Sequence, residues 1–82
     1  MGRAEQEPEG GRLAGNILRF CRTLRGAGLP LGPGAVTDAL EAVGHAGLAR
    51  RDDFYYALRA TLVKDVRHFT LFRQAFHLYF RN

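Results

Sequence analysis

One thiol, three imidazoles and eight carboxylates are the groups in this chain that could do chemistry. There is no serine, so a Ser-His-Asp nucleophile arrangement is excluded. Cys21 paired with a histidine is the remaining nucleophile, but Cys21 falls on the apolar side of a helix-patterned segment, where a free cysteine behaves as a small core residue. His45, His68 and His77 come from different segments and lack the tight spacings of zinc sites. Glu41 and His45 stand four residues apart, which permits a weak divalent site on one helix face. A solvated face is the simpler account of the pair. Catalytic carboxylates need a cleft that drives their pKa values apart. Asp52 and Asp53 directly precede an apolar run, which suits helix capping instead. The residues therefore point to no enzyme, no metal site and no cofactor.

Two further features invite a binding reading. The connector Gly28-Leu29-Pro30-Leu31-Gly32-Pro33-Gly34 has the glycines of a phosphate loop. It fits neither G-x-x-x-x-G-K-[ST] nor G-x-G-x-x-G, and its two prolines remove N–H donors, so it reads as structural punctuation. Arg12, Arg19, Arg22 and Arg25 are the best surface candidates, able to anchor an acidic partner through bidentate pairing. The plainer reading of the same spacing is a solvated helix face. Nucleic acid is disfavoured because no helix joins a basic stripe to the Asn, Gln, Ser and Thr expected for base readout. A small basic helical DNA-binding regulator is nevertheless the alternative function.

Composition sets the limits on these readings. The net charge is +4 and eleven of the twelve basic residues are Arg, while Glu5, Glu7 and Glu9 make the start of the chain acidic. At 82 residues there is room for one domain. A chain of this size buries only about 60% of the surface its unfolded form exposes, so stability is expected to be marginal. No signal-peptide pattern opens the sequence, and no apolar run approaches the roughly 20 residues of a membrane span. With one cysteine and no internal disulfide, a reducing cytoplasm is the expected compartment.

The elements that must position these groups are all helical. Residues 1–11 lack periodicity and are expected to be a disordered acidic tail, leaving 12–82 as a single helical domain. Leu13, Ile17, Phe20, Cys21 and Leu24 share one face of a first helix, which Gly26 and Gly28 can stop. A second helix over about Gly34 to Ala46 carries Val36, Ala39, Leu40 and Val43 inward, with Gly47 at its end. Asp52 or Asp53 is expected to cap a third, in which Phe54, Leu58, Thr61 and Leu62 form one face and Tyr56 with Val63 the other. After a polar break over Lys64 to Arg67, the last helix presents Phe69, Phe72, Ala75, Phe76, Tyr79 and Phe80, with Leu71 and Leu78 on a second stripe. No period-2 alternation suggests a strand. The expected fold is all-α, a compact bundle of about four helices. Two of these helices are apolar beyond one face, so Tyr56, Val63, Leu71 and Leu78 are candidates to meet a partner, unless the first two helices cover both faces.

Three stretches, in order, carry a family resemblance. Phe20-x-Arg22-x-Leu24-Arg25 runs into Gly28-Leu29-Pro30-Leu31-Gly32-Pro33; Arg51-Asp52-Asp53-Phe54-Tyr55 leads to Ala57-Leu58-Arg59-Ala60-Thr61-Leu62-Val63; and Leu71-Phe72-Arg73-Gln74-Ala75-Phe76 leads to Tyr79-Phe80-Arg81. Together they resemble the N-terminal helical region of CoxE-like proteins, which carry a von Willebrand factor A (VWA) domain after it. The resemblance covers roughly Leu13 to Asn82. It implies a cytoplasmic bacterial protein-interaction or adaptor domain that works with a MoxR-type AAA+ ATPase in metalloenzyme maturation. The implied partners are that ATPase, the VWA domain or the client enzyme. The family's D-x-S-x-S metal motif has no counterpart here, so no metal residue is carried over. The chain is expected to be either a piece of a longer protein or a stand-alone form of the helical module.

Overall fold

The computed structural model describes residues 9–47 and 50–80. Among these, four α-helices and one 3₁₀ turn (Val66–His68) account for the architecture, and there is no strand. The helices are α1 (Glu9–Gly26), α2 (Ala35–Ala46), α3 (Arg51–Leu62) and α4 (Phe69–Tyr79). The tail expected to be disordered lies outside the described residues as far as position 8, and the helix is described from Glu9.

The end of α1 explains why the next segment turns back. Gly28 takes φ +106°, a left-handed value that side chains with a Cβ rarely adopt. Its N–H donates to the Arg25 carbonyl at 3.1 Å, and the Leu29 N–H reaches back to the Leu24 carbonyl at 3.0 Å. That pair of bonds is a Schellman motif, and Leu24 and Leu29 supply the apolar contact that accompanies it, both fully buried. The Arg25 guanidinium donates to the carbonyls of Leu31 and Gly32, each at 3.3 Å, tying the proline-containing connector to the helix it leaves. Gly47, with φ +86°, ends α2 in a similar way, its N–H donating to the Val43 carbonyl at 2.7 Å.

The core is aromatic and centred on Phe20 of α1. Its ring meets those of Phe80, Tyr79, Phe72 and Phe76 at centroid distances of 5.0, 5.6, 5.7 and 6.3 Å. Most of these contacts are edge-to-face or tilted, as the ring quadrupoles favour. Ile17, Cys21 and Leu24 extend the seam along α1, as their spacing predicts, and Ala39, Val43, Leu58 and Leu62 complete it from α2 and α3. The backbones of α2 and α3 pack together most extensively, whereas those of α3 and α4 make few close contacts. Large rings and arginines therefore span the gap between α3 and α4, and a cleft opens there.

Two details differ from the sequence expectation. Neither Asp52 nor Asp53 caps α3: Arg50 is the N-cap residue and makes no side-chain cap bond. The two aspartates lie two and three positions further in, within the first turn, where the positive end of the helix dipole favours them. Asp53 pairs with Arg50 at 3.8 Å. The second difference concerns Val63. The helix stops at Leu62, and Val63 takes an extended conformation (φ −113°, ψ 116°), which turns its side chain into the core. Asp65 then caps the 3₁₀ turn, accepting the Arg67 N–H at 2.9 Å and the Arg67 guanidinium at 2.6 Å.

Candidate functional site

Two recesses flank α4. The first lies between α3 and α4 and has a volume of about 270 Å³. From α3 it is lined by Arg51, Tyr55, Tyr56 and Arg59, and from α4 by Arg73 and His77. Arg51 fixes one end, donating to the Phe80 carbonyl at 2.6 Å with its guanidinium 4.9 Å from the Phe76 ring centre. Arg59 is held by rings: its guanidinium is 4.0 Å from the centre of Phe69, 5.0 Å from Tyr56 and 5.8 Å from Tyr55. The Tyr55 ring in turn stacks on His77 at 6.3 Å, with the planes 14° apart. Asp52 contributes the one carboxylate on the cleft wall.

Apart from Tyr56, the candidate residues do not mark this cleft. The spacing that could have found it is Arg51, Tyr55 and Arg59 at i, i+4 and i+8, with Arg73 and His77 at i and i+4 on the following helix. The apolar character of the surrounding run masks that pattern.

The second recess lies between α1 and α4 and is apolar. It has a volume of about 320 Å³ and is lined by Thr23 and Ala27 on one side and by Leu71, Ala75, Leu78 and Tyr79 on the other. Leu78 is 71% exposed there, while Leu71 is half-buried. The four apolar candidates are thus dispersed. Tyr56, 55% exposed, belongs to the α3/α4 cleft, and Leu71 and Leu78 belong to the α1/α4 groove. Val63 leaves the candidate surface altogether. It is only 7% exposed, because the helix register that would have turned it outward ends one residue earlier. Val66, in the 3₁₀ turn, is exposed instead.

Arg12, Arg19, Arg22 and Arg25 are all exposed on α1. They are not equivalent: Arg25 is engaged with the connector carbonyls, and Arg19 donates to the Asn16 side chain at 2.8 Å. Cys21 is fully buried, and desolvation pushes its thiol pKa up despite the opposing pull of Arg25. A protonated, enclosed thiol is a poor nucleophile. Glu41 and His45 lie exposed on α2, and among the described residues no group of three or more His, Cys, Asp or Glu stands close enough to hold a metal ion. No helix of the described residues is long and apolar enough to cross a membrane.

Comparison with known proteins gives one match. The family model described as the CoxE N-terminal helical bundle domain matches residues 17–82. No curated protein and no solved structure matches the chain.

Proposed function

Because the chain belongs to the CoxE N-terminal helical bundle family, we propose that it is a non-catalytic protein-interaction domain. In this reading it is a cytoplasmic adaptor of a CoxE-like protein, through which a MoxR-type AAA+ ATPase acts on a client metalloenzyme during maturation. The observation that carries the reading is the pair of recesses along α4, one apolar and one cationic, on a domain whose thiol is buried. An apolar patch bordered by charge is the kind of surface that protein partners cover. Leu71 and Leu78 would supply the contact area, and the arginines of α1, with Arg12 and Arg22 among them, would tune orientation and association rate.

The test is a binding titration of the folded chain against a MoxR-type AAA+ ATPase and against a separately expressed VWA domain. A saturable complex with either supports the reading. A stable monomer that binds neither sinks it.

A further inference from the structure

The α3/α4 cleft carries a more specific inference, which depends on the reading of the chain as an interaction domain. Its wall holds the guanidiniums of Arg51, Arg59 and Arg73 against the single carboxylate of Asp52. Neither Arg59 nor Arg73 has a carboxylate partner among the described residues. Arg59 is also pre-positioned. Stacked among Phe69, Tyr56 and Tyr55, its planar fork has little freedom left to lose when an anion arrives.

Size and shape narrow the ligand. A volume of about 270 Å³ is at or below the lower end of small-molecule pockets, room for one or two side chains rather than a dinucleotide. A nucleic-acid backbone would need a continuous basic track. Here Asp52 stands on the wall and Asp53 beside it in the same helical turn, which repels successive phosphates. Tyr56, more than half exposed at the cleft, offers a ring face to an apolar neighbour of the bound acid. We propose that this cleft is the recognition site for an acidic segment of a partner protein, in which a Glu or Asp side chain pairs with Arg59 and Arg73 and an adjacent apolar side chain packs on Tyr56.

The probe is a blocked peptide of sequence Gly-Leu-Glu-Asp-Leu-Gly, titrated into the isotope-labelled full chain and followed by amide chemical shifts. Controls are the same peptide with Gln and Asn in place of the acids, inorganic phosphate and a short DNA duplex. The expected result is saturable shifts confined to residues 51–59 and 73–77 with the acidic peptide, and none with its amide counterpart. Arg73→Gln, at an exposed position that leaves folding intact, should weaken binding roughly two- to fivefold. Arg59→Lys keeps the charge but loses the stacked plane, and should weaken it about tenfold. Asp52→Asn should strengthen it.

Equal binding of the amide peptide, shifts that map to α1 instead, or a preference for phosphate or duplex in the cleft would each overturn the inference. A chain that binds the ATPase or the VWA domain while the acidic peptide leaves the cleft unperturbed would overturn it too, and would leave the interaction-domain reading standing.

Discussion

Replacing Phe20 by Ala should remove a large share of the stability of this domain. Phe20 is fully buried, and its ring joins α1 to four aromatic residues in and just beyond α4, at centroid distances from 5.0 to 6.3 Å. Phe→Ala changes in cores cost about 3–5 kcal/mol, the larger values where the cavity cannot collapse. Each aromatic pair adds roughly 0.5–1.5 kcal/mol beyond area burial, though pairs that share one ring do not add independently. With four pairs lost together, the expected cost lies near the top of the range, about 4–5 kcal/mol. At roughly 0.05–0.15 kcal/mol per residue, a domain of this length has about 4–12 kcal/mol in total. Urea denaturation followed by far-ultraviolet circular dichroism should therefore show Phe20→Ala destabilised by about 4–5 kcal/mol, which leaves no folded baseline where the total stability lies at the low end of its range. Phe20→Leu, which better conserves volume, should lose only about 1–1.5 kcal/mol. A loss below about 1 kcal/mol for the Ala variant would mean that α1 does not pack on α4 in solution, and the described core would be wrong.

Three other outcomes follow from the same geometry. Cys21 should be inert to Ellman's reagent in the native protein and react fully once urea unfolds it, because burial holds the thiol protonated and out of reach; rapid native labelling would contradict that placement. Leu78→Ser should change stability by no more than about 0.5 kcal/mol, since the side chain is 71% exposed, yet weaken partner binding several-fold; a large fall in Tm would show that Leu78 is packed. Asp65→Asn should expose a linkage in acid. Its carboxyl pKa is lowered by the Arg67 side chain and then by the Arg67 backbone N–H, so the stability it contributes is fully present above the ordinary Asp value of about 3.9 and is lost as pH falls through the lower folded value. The gap in Tm between wild type and Asp65→Asn should be constant near neutrality and shrink below about pH 4, and a gap that widened in acid would reverse the assignment.

How much of this was legible in the sequence depends on what each residue's position was determined by. The inward face of α1 follows from 3.6-residue spacing alone, and Ile17, Phe20, Cys21 and Leu24 are all buried. The stop after α1 was legible because a glycine was needed at one left-handed position, and Gly28 is that residue. Val63 was misplaced because helical spacing says nothing about where the register ends. A helix that terminates at Leu62 turns the next side chain by a different rule. The aspartates before Phe54 looked like caps because their type is right. Arg50 holds the cap position, two residues before the first of the carboxylates. The cationic cleft was hidden for another reason: its residues belong to two helices, and the packing of Tyr55 on Phe72 and Phe76 brings Arg59 and Arg73 to one wall. The recesses are properties of the assembled bundle, whereas the faces are properties of single helices.

The central claim is that this chain works by binding another protein. Its most direct test is isothermal titration of the purified, folded chain into a MoxR-type AAA+ ATPase and, separately, into a VWA domain, with Leu78→Ser and Arg73→Gln run in parallel. The account predicts a saturable complex with the wild-type chain and weaker complexes with both variants at unchanged fold. No heat and no complex with either partner for the wild-type chain, while circular dichroism shows it helical, would contradict the account.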